Sequence, residues 1–253
     1  MLNDADSPKW IIPDWPAPAH VRAASTLRQG GVSRGHYASL NLGAHVGDHP
    51  AAVLENRRRL RTALKLPTEP LWLNQVHGTA VAQPAWHERP PTADVGVFNA
   101  ALGGQPGVCA VLTADCLPVL FCDRTGTRIA AAHAGWRGLA GGVLAAAVSA
   151  LGVPANQLMA WLGPAIGPNA FEVGEEVVQA FTSAQAAAKN AFVANSRGRW
   201  QADLYALARL ELGRLGLKEI HGGARCTVAE TDSFFSYRRD GQTGRMATLI
   251  WLE

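Results

Sequence analysis

The apolar positions come in short runs separated by Gly, Pro and polar residues, and their spacing changes along the chain. Residues 107–113, 118–122, 128–133 and 158–162 are apolar on both alternations and bounded by turn residues. Runs of this kind predict buried strands. Residues 245–252 predict a closing strand. Elsewhere the period is helical. Residues 138–151 predict a helix of small residues, and Val173, Val177, Ala180, Phe181 and Ala184 share one face of a second. Leu204, Leu207, Ala208, Leu212 and Leu215 line a third, with Asp203 as its cap and Gly216 as its stop. Asp48 is placed to cap a helix from Pro50 to about Leu64. The prolines at 8, 13, 16 and 18 predict an extended arm over residues 1–25, and QGGVSRG (29–35) a turn. Strands and helices mix without strict alternation. The expected fold is therefore a mixed α/β (α+β) sandwich, with one domain over residues 26–253 behind the arm.

Composition narrows the class. A chain of 253 residues, 48% hydrophobic and 17% charged, suits one large domain with a sizeable core. A net charge of +3 is too weak a field to imply nucleic acid, and Arg57, Arg58 and Arg59 read as a solvated helix face. The apolar run 139–153 is shorter than the roughly 18 residues a membrane span needs. The opening MLNDAD carries acids where an export signal needs bases, so a cytoplasmic location is expected. Cys109, Cys116, Cys122 and Cys226 make no disulfide framework at this length. They are expected as free thiols, open to a metal.

Three segments place metal-type ligands beside apolar strands or turns: NQVHG (74–78), TADCLP (113–118) and AHAGWRG (132–138). His77, Cys116 and His133 would give two imidazoles and a thiolate with one coordination position open, a reasonable catalytic zinc site. They are separated by 39 and 17 positions, so no local rule brings them together. On pattern alone, a buried cysteine and two hydrogen-bonded histidines are the commoner outcome. Arginines form a second group: Arg28 before the Gly-Gly turn, Arg137 at a helix start, and Arg238-Arg239 after Phe234, Phe235 and Tyr237. Arg137 and Gly138 at a helix N-terminus would suit an anion, although surface ion pairs are the usual fate of such residues. The aromatics read as purine-stacking surface or as core.

Together these blocks resemble the laccase-domain (YfiH-like) family, variously called polyphenol oxidase, purine nucleoside phosphorylase or peptidoglycan editing factor. The resemblance runs from Thr26 to the C-terminus. It rests on TLRQGGVSRGHYASLNLGAHVGDHP (26–50), NQVHG, TADCLPVL (113–120), AAHAGWRG (131–138), LGPAIGPNAFEVG (162–174) and CTVAETDSFFSYRRDGQTGR (226–245). It implies a cysteine-hydrolase-like α/β sandwich with metal ligands at His77, Cys116 and His133. It also implies cleavage of adenosine, inosine, guanosine and methylthioadenosine by phosphate, with adenosine deamination in some members. Arg28 matches the family's Arg before the Gly-Gly turn and, with Arg137, is expected on the substrate or phosphate. Asp115 and Glu172 are candidates for proton transfer.

Four functions compete. The first is a zinc-dependent purine nucleoside phosphorylase with adenosine deaminase activity. The second is a copper polyphenol oxidase; the eight histidines include no His-x-His pair, which argues against a multicopper cluster, although one His₂Cys site would take copper in vitro. The third is a metal-free cysteine hydrolase, with Cys116 as nucleophile and His133 as base, which would suit peptidoglycan editing. The fourth is a metal-stabilised binding protein without turnover.

Overall fold

The strongest apolar runs pair into two sheets that face one another. The computed structural model describes residues 7–83, 89–102 and 107–253; residues 1–6 of the expected arm lie outside the described residues. One sheet runs in the order β1 (Trp10–Ile11), β2 (Val21–Thr26), β13 (Met246–Leu252), β5 (Val108–Thr113), all antiparallel. The second runs β12 (Glu219–Gly222), β8 (Leu158–Leu162), β6 (Leu117–Asp123), β7 (Arg128–Ala134), β4 (Val95–Asn99), β3 (Val81–Ala82). It is mixed, with parallel pairs at both edges.

Strand alternation divides the core. Leu120, Cys122, Ile129 and Ala131 of the second sheet meet Cys109, Val111 and Ile250 of the first. Val119, Phe121, Ala130 and Ala132 point the other way, under the helices. Ala110, Leu112, Ala247 and Leu249 pack with Leu60 of α1 (Pro50–Leu64). The layers are thus helix, sheet, sheet, helices. Each main strand is covered on both faces, so its sequence reads as a continuous apolar run rather than an alternating one. This is the α/β sandwich expected from the sequence. A small sheet, β10 (Phe192–Ala194), β11 (Trp200–Ala202) and β9 (Glu172–Val173), adds to one end.

Local details depart from the expectations. The helix over 138–151 is two, α2 (Trp136–Ala140) and α3 (Val143–Leu151). Gly142, at φ 94°, turns the chain between them in a backbone region that favours glycine. The helix expected from Val173 begins after β9, as α4 (Glu175–Thr182). Asp203 does cap α5 (Leu204–Arg214), accepting from the Ala206 N–H. Asp48 does not cap α1: His49 does, through Nδ1 and the Ala51 N–H. The Asp48 carboxylate is occupied by Ser33 and Asn41 and fixes the preceding loop instead. Nor is the run Arg57-Arg58-Arg59 in α1 uniformly solvated. Arg57 lies across Trp72 and donates twice to the Leu42 carbonyl, and burial lowers its pKa to about 10. Arg58 and Arg59 pair with Glu55. All four cysteines are free thiols. Among the described residues no helix is long and apolar enough to cross a membrane.

Candidate metal centre

The chain changes sheets between β5 and β6, and Ala114, Asp115 and Cys116 make that crossing. Asp115 takes φ 104°, outside the regions most side chains prefer. Three contacts hold it there. Its carboxylate accepts from the Thr227 hydroxyl and the Arg238 N–H, and its carbonyl accepts from the Ile166 N–H. Cys116 follows, half-buried, at the mouth of the second sheet.

His133 is the penultimate residue of β7, where Pro118 is its cross-strand partner. His77 lies in a turn at φ 60°. Both imidazoles reach Cys116. The ligand atoms of His77, Cys116 and His133 all lie within 4.8 Å of one another, the one such group of His, Cys, Asp or Glu found among the described residues. The Cys116 sulfur is 3.7 Å from His77 Nε2. Ligands bonded to one zinc at about 2.0–2.3 Å in a tetrahedron stand roughly 3.4–3.7 Å apart. Two imidazoles and a thiolate are a donor set that suits a transition-metal ion such as zinc, and the Cys116–His77 separation falls at the top of that range. Gly135 completes the cradle: a Cβ there would come within 2.6 Å of the His77 ring and 3.0 Å of the Cys116 sulfur.

Asp94, absent from the sequence expectations, organises the site. It is fully buried just ahead of β4. Its carboxylate accepts from the N–H groups of Val76, His77 and Gly78, so the turn carrying His77 wraps around it. It also lies 2.8 Å from His133 Nδ1. That bond places the ring proton on Nδ1 and turns Nε2 toward the site, the usual outer-shell arrangement for a metal-binding histidine. The one available signal was an acidic residue directly before an apolar strand, and that pattern is common.

Burial pushes the Cys116 thiol up, but the His133 charge and hydrogen bonds from both histidines outweigh it and bring the thiol to about 6. Burial pushes His133 down, while the Cys116 thiolate and Asp94 raise it to about 9. Unmetallated, the site therefore favours a thiolate–imidazolium pair.

The other named residues are dispersed. Arg28 donates to the carbonyls of Ala38 and Thr231 and lies over the Phe235 ring. Arg137 is exposed in α2, stacked on Trp136. That helix is close to the ligands, since a Cβ on Gly138 would meet the Gly78 carbonyl at 3.1 Å. Glu172 is engaged by Arg197 and Asn195 on the small sheet. Arg238 reaches the Glu172 carbonyl, and Arg239 reaches the carbonyls of Thr227, Val228 and Phe234. Phe234 and Phe235 are core, whereas Tyr237 is exposed.

The layers and the His₂Cys site define an α/β sandwich with a metal-type centre at a sheet crossing. Residues 22–253 match the family described as multi-copper polyphenol oxidoreductase laccase. The chain belongs to this laccase-domain, YfiH-like family. It is 57% identical to "Purine nucleoside phosphorylase PA4543" of Pseudomonas aeruginosa, over 96% of this chain and 98% of that one. It is 54% identical to "Purine nucleoside phosphorylase YfiH" of Escherichia coli K12, over 96% and 99%. The crystal structure of Neisseria meningitidis protein NMB0706 superposes with a TM-score of 0.92 at 54% identity, covering 96% of this chain and 99% of that one.

Proposed function

We propose that this protein is a zinc-dependent purine nucleoside phosphorylase acting on adenosine, inosine, guanosine and methylthioadenosine, with adenosine deamination as a second reaction of the same centre. The observation that carries the reading is the convergence of the His77, Cys116 and His133 ligand atoms to within 4.8 Å of one another in a chain whose relatives bear the phosphorylase name. In phosphorolysis a phosphate oxygen bonds to the anomeric carbon, the glycosidic C–N bond breaks, and the base leaves with the electron pair. Bound at the three ligands, zinc supplies Lewis acidity toward the departing base. Asp94 holds the His133 ring and the backbone of the turn that carries His77, so little reorganisation accompanies binding. Arg137 is exposed and has no ion-pair or hydrogen-bond partner among the described residues, which leaves its guanidinium for substrate; Arg28 braces the loops behind and is the second substrate-side arginine. Free thiols, one of them a ligand, suit the cytoplasm.

A copper oxidase reading lacks the extra histidines a multicopper cluster needs among the described residues; the single site would accept copper in vitro. The Cys116–His133 pair favours one second reading, a cysteine hydrolase of the peptidoglycan-editing kind.

The test is incubation of the zinc-loaded protein with a nucleoside panel, with and without phosphate. Free purine and ribose 1-phosphate are expected only with phosphate. Cys116→Ala should abolish both phosphorolysis and deamination. Equal base release without phosphate, yielding free ribose, would make the enzyme a hydrolase.

A further inference from the structure

Arg245 lies closer to the centre than the sequence suggested. It directly precedes β13, whose first residue, Met246, pairs with Thr113 at the end of β5. Continuing that antiparallel register sets Arg245 across from Ala114, at the start of the crossing that carries Asp115 and Cys116. The backbone there is fixed. The Arg245 N–H donates to Asn41 Oδ1, and the Leu42 N–H donates to the Arg245 carbonyl. Gly43 makes room for the side chain, because a Cβ there would stand 2.8 Å from Arg245 Cγ.

The guanidinium is half-buried, and one of its nitrogens, Nη1, donates to the Thr243 and Gly244 carbonyls. No carboxylate lies within ion-pair distance of it among the described residues. The nearby acids are committed elsewhere: Asp115 to Thr227 and Arg238, Asp94 to the His77 turn and His133. A half-buried, always-charged fork with open donors is an oxyanion receptor. On the same loop, the buried Thr243 hydroxyl has no hydrogen-bond partner among the described residues.

We propose that Arg245 forms an oxyanion subsite beside the metal ligands that receives the phosphate co-substrate. The inference rests on the phosphorylase reading for the identity of the anion, whereas the subsite itself rests on the geometry. It assigns Arg245 the bidentate contact to phosphate. Arg28 and Arg137 are left to the nucleoside.

The test separates the two claims. In zinc-loaded Arg245→Gln, KM for phosphate should rise roughly tenfold to a hundredfold, while KM for inosine and the zinc content stay within about twofold. Arg245→Lys keeps the charge without the fork and should fall between; it carries the test if the Gln variant does not fold. Unchanged phosphate KM in Arg245→Gln, with phosphorolysis intact in the wild type, overturns the subsite and leaves the phosphorylase reading standing. If the wild type does not phosphorolyse, that reading fails on its own, and the subsite is judged by calorimetric titration with inorganic phosphate. Binding weakened by Arg245→Gln then supports it, and wild-type binding unaltered by the substitution, or no binding at all, overturns it.

Discussion

At Cys116 burial and charge pull in opposite directions, and charge wins because two imidazoles converge on one sulfur. The strand-borne thiols lack such partners. Burial raises Cys109 far out of the physiological range and Cys122 to about 12. In chelator-stripped native protein, iodoacetamide should therefore label Cys116 far ahead of Cys109 and Cys122. The thiolate share falls as pH drops through the folded-state value of about 6, so the labelling rate should decline in acid with a midpoint near 6. A midpoint in the ordinary thiol range, resolved by peptide mapping across pH, would contradict the assigned environment. The sequence offers Cys116 as a candidate but says nothing of its charge, because both imidazoles come from distant segments. His77 is similar: its positive φ is stabilised by three N–H groups of its own turn bonding one carboxylate, and only the fold brings Asp94 there.

Among the elements, the legible ones were those buried on both faces. The runs that became β5, β6, β7, β8 and β13 lack polar interruption, and their observed ends fall within a residue of the expected ones. β4 is hard to read from the sequence because Gly96 and Asn99 dilute a five-residue strand, and β12 because its residues are only partly buried or exposed. Both matter to the architecture. β4 begins directly after Asp94 and pairs with β7, with Val95 opposite Ala132, which brings the carboxylate beside His133. This placement makes Asp94 a positioning residue rather than a ligand. Asp94→Asn should weaken zinc binding about ten- to a hundredfold. Competition against a chromophoric chelator reads this directly, and circular dichroism confirms the fold. An unchanged zinc affinity would remove Asp94 from its role in aiming the ligands.

For the whole molecule, the site depends on the stacking of two sheets. The turn bearing His77, the crossing bearing Cys116 and the strand end bearing His133 are brought to one place because β5 belongs to one sheet and β6 and β7 to the other. Hydrophobic pattern made the sandwich legible. The site became legible only through the resemblance of whole blocks, since separations of 39 and 17 residues carry no local geometry. Arg245 stayed hidden for the same reason: it lies 129 positions beyond Cys116 in the chain and reaches the site through sheet pairing. His77, Cys116 and His133 together are expected to hold one zinc ion. Elemental analysis of purified wild type, Cys116→Ala and a Cys226→Ala control measures this most directly. One zinc per chain is expected in the wild type and the control, and a loss of most of it in Cys116→Ala. Zinc retained in full by a folded Cys116→Ala protein, or absent from a wild type reconstituted with zinc, would contradict the account.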